Sequence, residues 1–323
     1  MIRQYKKSLI ISAWSHRFLA AILLLAGFTM RPIFAEKPGS GLSIWITPET
    51  SVSQPALSWP FSNPLRLDYP IEAGSNGGGQ ANGLSAGLGF ESGPWLLEVQ
   101  YGFGMMNVES VTYGANQLAM PLSRKLSDTE IRGLTGVELI ESITGDSHSL
   151  HLLLGGQQNY ETLSSEGSVI GLGTDRLTAG VTLRDRSQLS FDSYLLGLRY
   201  NWKISESFGV HIEGLALSGR GIWVQDRAFL FTDSADFRSE RGKSNITGWS
   251  AEFGSQWAMT EDLHLVLNIG TVRHNRQVTD LVILQGSLTG FSDLAVAELL
   301  ANEFGHEESR YKNYFRAGVK FDF

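Results

Sequence analysis

Residues 311–323 read Tyr-Lys-Asn-Tyr-Phe-Arg-Ala-Gly-Val-Lys-Phe-Asp-Phe. Tyr311, Phe315, Ala317, Val319, Phe321 and Phe323 fall on one parity, and Tyr314, Arg316, Gly318, Lys320 and Asp322 on the other. Strand side chains point alternately to two faces, so this segment is a β-strand with one apolar face and one polar or small face.

The pattern recurs upstream. Leu84, Ala86, Leu88 and Phe90 alternate with Ser85, Gly87 and Gly89; Trp95, Leu97, Val99, Tyr101 and Phe103 alternate with Glu98, Gln100 and Gly102. Ile131, Val137 and Leu139 oppose Arg132, Gly136 and Glu138, and Leu150, Leu152 and Leu154 oppose His151 and Gly155. Tyr194, Leu196, Leu198, Tyr200 and Trp202 oppose Gly197, Arg199, Asn201 and Lys203. The same holds around 210–213, 249–257 and 263–270, and with a first strand near 42–46 the count is ten. Tight turns are expected at 91–94, 144–147, 205–207 and 259–262, and longer segments at 106–127, 165–185, 226–243 and 280–308. Short and long connections in alternation, with an even strand number, are the rhythm of an outer-membrane barrel.

The chain has 323 residues, no cysteine and a formal charge of −7, which removes disulfides and thiolate metal sites and argues against a nucleic-acid partner. No apolar run reaches the about 18 residues that mark a membrane helix, a test that strands escape. Arg3, Lys6, Lys7 and Arg17 precede a thirteen-residue apolar run, 18–30, and Ala35 stands before the polar Glu36. That is the pattern of a signal peptide over 1–35, leaving a single barrel domain over 36–323 with a net charge of −12.

A secreted β-sandwich also alternates. Its solvent face would be rich in Lys, Thr and Glu, whereas the polar parity here holds many glycines, which suit the crowded inside of a small barrel. Trp95, Tyr101, Tyr194, Trp202, Trp249, Trp257 and Tyr311 lie toward strand ends on the apolar parity, as aromatic girdles do. The expected fold is all-β: a transmembrane antiparallel β-barrel of about ten strands, with short periplasmic turns and long extracellular loops.

The terminal stretch Tyr314-Phe-Arg-Ala-Gly-Val-Lys-Phe-Asp-Phe323 resembles the last-strand signal of bacterial outer-membrane proteins. That resemblance implies a Gram-negative outer membrane and, through Phe323, the barrel-assembly machinery as a partner. A finer resemblance is to the omptins, ten-stranded outer-membrane peptidases. It is carried by Leu65-Arg-Leu-Asp68-Tyr69, by Gly155-Gly-Gln-Gln158-Asn-Tyr160-Glu161 expected on the fifth strand, and by Ser218-Gly-Arg-Gly-Ile-Trp223-Val224 on the seventh.

The family's catalytic residues do not carry over. Omptins have an Asp-x-Asp pair after the third strand and an Asp-x-His pair above the seventh, which activate a water between them. Here the first place reads Met105-Met-Asn107-Val-Glu109, and the second reads Asp226-Arg227-Ala228, with Ala where the His is expected. Asp226 and Glu109 are the acids left at those places. A general base must lie within hydrogen-bond reach of its proton, and no histidine occurs between His211 and His264. No catalytic, cofactor or metal residue is therefore assigned. The favoured reading is a non-enzymatic surface, structural or binding protein. The alternatives are an omptin-like endopeptidase with a rearranged active site and a narrow solute pore.

Other groupings have ordinary readings. His148 and His151 are three apart on a strand, hence on opposite faces. His211, Glu213 and His264 are candidates for a shared lumenal site, with a hydrogen-bond network as the default. Glu98, Arg132, Glu138, Arg199, Lys203, Glu252, Arg316 and Lys320 share the polar parity and must pair in a confined interior. Gly74–Gly79 lacks the Lys-Ser/Thr of a phosphate loop and reads as a bulge or kink. A helix is expected over 293–304, capped by Ser292 or Asp293 and ended by Gly305. Arg220, Arg227, Arg238, Arg241 and Lys243 cluster near the fourth long connection, suited to lipopolysaccharide phosphates beside the outer-membrane lipid itself.

Overall fold

The computed structural model describes residues 41–54, 79–115, 118–140, 147–171, 181–230, 235–286 and 306–323. They form ten strands: β1 (Gly41–Gln54), β2 (Gly79–Ser92), β3 (Trp95–Ala115), β4 (Leu118–Ile140), β5 (His148–Gly171), β6 (Val181–Ser205), β7 (Phe208–Leu230), β8 (Ala235–Ala258), β9 (Leu263–Gly286) and β10 (His306–Asp322). Each pairs antiparallel with its neighbours in sequence, and β1 pairs with β10, from Ser43↔Asp322 to Gln54↔Tyr311, to close the barrel. Closure leaves no sheet edge and satisfies the backbone within the wall, the condition for a sheet that meets lipid.

The period-two reading places the residues correctly. Trp95, Tyr101, Tyr194, Trp202, Trp249, Trp257 and Tyr311 are all exposed on the outer wall, with Leu88, Leu196, Leu198, Ile212, Phe253, Ile269 and Phe315 between them. Trp202 and Trp257 sit at the short-turn end, and Tyr194 and Trp249 lie eight residues further along the same strands. Eight residues of strand advance about 27 Å, or about 21 Å along the axis of a barrel tilted by ~40°, close to the ~25 Å apolar band of such proteins.

The connections are partly as expected. Gly93 has a φ of 56°, the left-handed conformation that glycine adopts without strain, in the two-residue link from β2 to β3. The turns after β6 and β8 fall at 206–207 and 259–262, and the turn expected at 144–147 falls largely outside the described residues. The long connections are a correction. Most of 106–127 and of 226–243 continues as paired strand, to Ala115↔Leu118 and Leu230↔Ala235. The alternation stops above the aromatic row because neither face meets lipid there, so sequence periodicity ends before the hydrogen-bonded ladder does. Leu65–Tyr69, the Gly74–Gly79 kink (apart from Gly79 itself, which begins β2) and the 293–304 helix lie outside the described residues.

The interior departs from a uniformly polar lumen. Leu96, Leu134, Leu153, Leu189, Phe191, Leu195, Leu215, Leu217 and Ile246 form a buried apolar cluster inside β3–β8, with Trp223 packed against it. Charged side chains share the interior with this cluster, drawn from β1, β9 and β10 and from β3 to β8 as well. Bulky inward residues lie across glycines: Trp45 over Gly87 and Gly89, Tyr314 over Gly270, His211 over Gly254 and Leu215 over Gly197. A small barrel is filled by its own side chains, and glycine supplies the space they need.

Gly270→Ala places a methyl group inside the Tyr314 ring, whereas a Cβ at Gly104 meets nothing within 4 Å. By denaturant unfolding, Gly270→Ala is expected to destabilise by about 1–3 kcal/mol through overpacking. Gly104→Ala is expected to be neutral or stabilising by about 0.5 kcal/mol.

Candidate functional site in the charged lumen

The strand register brings distant charges together. Arg199 of β6 donates to both oxygens of Glu98 of β3 at 2.6 and 2.7 Å, and to Glu213 of β7 at 2.5 and 3.0 Å. Glu213 also accepts from Arg132 at 3.3 Å, whose other nitrogen donates to Gln100 at 2.5 Å. Beside this group, Arg316 lies between Glu49, 2.8 Å, and Glu252, 3.3 Å, while Lys312 holds the other oxygen of Glu49 at 2.6 Å. The Tyr314 hydroxyl donates to Glu252 at 2.7 Å. Glu49, Glu213 and Glu252 are buried and Glu98 is half-buried, and each has a cation, as a low-dielectric interior requires.

A second layer lies beyond the aromatic row at the far end. On β5 the outward residues change from Leu152 and Leu154 to Gln158 and Tyr160, and on β9 from Ile269 to Arg273 and Asn275, so this part of the wall has left the apolar band. Inside it, Glu161 accepts from Arg276 at 2.6 Å through both oxygens and pairs with Arg310. Asp128 lies 3.7 Å from Arg310 and 3.9 Å from Lys312. His274 is buried edge-on against Phe191, ring centroids 5.7 Å apart.

Between the two layers is a cavity of about 40 Å³, lined among others by Asp128, Glu130, Glu161, His274, Arg310 and Lys312. Three buried atoms of that lining, Asp128 Oδ1, His274 Nε2 and Arg310 Nε, have no hydrogen-bond partner among the described residues. Burial would raise the Glu161 carboxyl, but Arg276 and Arg310 hold it well below the usual carboxylate range, at about 2. Burial, reinforced by Arg276, lowers His274 to about 3, so the ring is neutral. Burial raises Asp128, and Glu161 and Glu130 push the same way against Arg310 and Lys312.

The sequence-selected residues divide. Glu98, Arg132, Arg199, Glu252 and Arg316 all join the lumenal network, and Lys320 pairs with Asp322 at 3.2 Å. His211, Glu213 and His264 do not form one site. Glu213 is taken by two arginines, His211 meets Glu252 at 3.3 Å, and His264 meets Asp322 at 3.0 Å. His148 stacks on Tyr200 and Trp202 outside the barrel, while His151 approaches Asn201 inside. Asp226 is exposed on the outer wall, where its Oδ1 accepts from Ser239 at 2.6 Å, so it does not face a cleft. The side chain of Glu109 lies outside the described residues. Sequence reading missed Glu49, Asp128, Glu161, Arg276, Arg310 and Lys312. The available signal was Glu161 on the inward parity of a segment already quoted.

The Escherichia coli outer membrane protease OmpT has a similar structure, with a TM-score of 0.50 at 12% identity over 88% of this chain and 96% of that one. The fold is that of an outer-membrane β-barrel. The translocator domain of the autotransporter NalP from Neisseria meningitidis gives 0.36 at 10% identity, over 97% and 98% of the two chains. A mutant of the monoaromatic hydrocarbon channel TodX gives 0.34 at 10% identity, over 92% and 94%. No protein-family profile matches the chain, and no curated protein sequence matches it. At these identities the likeness is one of fold.

His274 and Glu161 both have lowered values in the folded barrel, so both favour folding above their unfolded values and lose that contribution on acidification. For His274 the loss begins near pH 6.5 and continues toward 3, under the influence of Arg276, Glu161, Arg310 and Lys312. Urea unfolding between pH 7 and pH 4 should show stability falling by up to about 1.4 kcal/mol per pH unit from this residue. His274→Phe should flatten that slope.

Proposed function

We propose that this chain is a non-enzymatic surface protein of a Gram-negative outer membrane, delivered by cleavage of residues 1–35, whose outer wall above the lipid binds lipopolysaccharide phosphates. The observation that carries the reading is a set of exposed, outward-facing cations on consecutive strands, from Arg273 and Arg220 at the aromatic row to the others higher on the same wall. They are Arg184 and Arg186 on β6, Arg220 on β7, Arg241 and Lys243 on β8, and Arg273 on β9. Arg220, Arg241 and Arg273 have no ion-pair or hydrogen-bond partner among the described residues, while Lys243 pairs with Asp280 at 2.7 Å and Arg184 with Glu166 at 3.0 Å. The guanidinium groups of Arg220 and Arg273, next to the aromatic row, suit bidentate hydrogen bonds to headgroup phosphates, and Arg241 stands eight residues beyond Trp249, higher on the wall. That these cations stand on a chain of net charge −7 makes their placement the more telling. The side chains of Arg227 and Arg238 fall outside the described residues.

The non-enzymatic half of the reading rests on the outward direction of Asp226 and on the Ala at position 228. The pore alternative has less support, because the leucine cluster and the ion pairs occupy the interior. The end of β10, where Phe323 N–H donates to Leu42 O at 2.8 Å, is the seam that the assembly machinery would close last.

The test uses the full barrel refolded in detergent, with heat-modifiable gel mobility as proof of folding. Arg220→Gln/Arg241→Gln/Arg273→Gln is expected to bind lipopolysaccharide at least about tenfold more weakly at fixed salt, since each charge-assisted contact is worth about 1.5–3 kcal/mol before screening. Unchanged binding would remove the lipopolysaccharide reading. Turnover of a dibasic peptide library by the folded wild-type chain, lost on Asp226→Ala, would restore the peptidase.

A further inference from the structure

We propose that the β1–β10 seam is a latched lateral opening: the wall parts sideways at Pro48, and Glu49 is the latch that holds it shut. This device belongs to the wall itself and does not depend on the outer-wall cations.

The first observation is a missing rung. β1 and β10 keep one register from Ser43↔Asp322 to Gln54↔Tyr311, but Thr47 and Pro48 drop out of that ladder. On its other side β1 pairs with β2 without a break, from Gly41↔Glu91 to Ser53↔Gly79. In an antiparallel pair, alternate residues direct both N–H and C=O to the same neighbour. Phe323 N–H donates to Leu42 O, so the even positions of β1 and the odd positions of β10 face the seam. Pro48 is one of them and has no N–H to give, so the carbonyl of Ala317 opposite it receives none from β1. The same two-residue gap, again with the register kept, occurs at Met120 and Pro121 against β5. That one lies beyond the aromatic row, outside the apolar band. Pro48 lies six residues from Leu42 at the short-turn end and six from Gln54, which is opposite Tyr311. It is exposed at mid-height of the apolar band, where no water replaces the lost bond. Proline within a sheet is otherwise a mark of edge strands.

The second observation is that side chains clamp the seam beside the missing rung. Glu49, the next residue, points inward and is buried. Its Oε2 accepts from Arg316 Nε at 2.8 Å and its Oε1 meets Lys312 Nζ at 2.6 Å, so one carboxylate of β1 holds two cations of β10. Arg316 stands opposite Glu49 in the register, and Lys312 opposite Ser53, further up the same seam. On the other side of the rung the strands are drawn close, since a Cβ on Gly318 would run into the Ile46 carbonyl. The seam is shut here by ion pairs and close contact where its backbone bonding is deficient. Separating Glu49 from both cations toward lipid is costly, which keeps the opening rare. The lumen is filled along its axis, whereas parting β1 from β10 joins its charged interior to the membrane.

Amide-resolved hydrogen exchange tests this within one strand, on the full chain refolded in detergent and shown to be folded by heat-modifiable gel mobility. The amides of Phe315, Ala317 and Val319 face β1, and those of Tyr314, Arg316 and Gly318, at the same depth, face β9. The first set is expected to exchange at least about tenfold faster than the second. Pro48→Ala supplies the missing N–H and should bring the two sets together. Glu49→Gln loses the charge that holds Lys312 and Arg316 and should widen the difference; if it does not fold, Lys312→Gln removes one of the two pairs and is read the same way. Equal exchange of the two sets in the wild-type barrel would overturn the proposal. So would a rate that falls steadily from Phe323 to Phe315, which is fraying from the strand end, or a difference that folded Pro48→Ala leaves unchanged. A difference unchanged in folded Glu49→Gln, or in Lys312→Gln where that variant stands in for it, would overturn Glu49 as the latch.

Discussion

Arg199 is held between Glu98 and Glu213 in the middle of the barrel, and much of the interior is arranged around that contact. It joins β6 to β3 across the lumen and to β7 beside it. The arginine's planar fork takes both oxygens of one carboxylate while sharing the other, which suits it to a site where lysine would leave acceptors unmet. A buried ion pair adds little stability over an apolar equivalent, but an unpaired member is very costly. The network therefore works as a constraint. Glu98, Arg199, Glu213, Arg132, Gln100 and Ser85 follow one another as partners, and each fixes the next.

Around that brace the barrel solves a packing problem. The wall satisfies its own backbone by closure, yet ten strands enclose more volume than water could fill without leaving the ion pairs screened and loose. Leucines from β3 to β8 occupy one side, and glycines on neighbouring strands make room for Trp45, Tyr314 and His211. The same dense interior that supports a closed barrel leaves the small polar cavity near Asp128 as a defined space rather than a passage.

The barrel itself was legible because lipid and lumen impose opposite chemistry on alternate residues, and segments such as 194–202 and 311–323 show that contrast directly. The apolar half of the lumen was not, because Leu152-Leu153-Leu154 and Leu195-Leu196 present apolar residues on both parities. A reader looking for alternation passes over the inward Leu153 and Leu195, although both are buried. Above the aromatic row the outer face is no longer uniformly apolar, so Asp128, Glu161, Arg276 and Arg310 stood out little from it, and only the register of β4, β5, β9 and β10 brings them together. The supposed His211–Glu213–His264 site failed for a related reason. Sequence order placed these residues near one another, but Arg132 and Arg199 compete for Glu213 from strands that linear spacing does not reveal.

Outside, the molecule has an apolar band and, above it, a polar fringe of arginines and carboxylates; inside, it is filled. The central claim is that filling, and ion conductance of the purified, refolded barrel in a planar lipid bilayer tests it most directly. The account predicts insertion without a steady open level, while an Arg199→Gly/Leu215→Gly variant, with brace and plug both reduced, conducts. A stable conductance from the wild-type chain, unchanged in that variant, would contradict it.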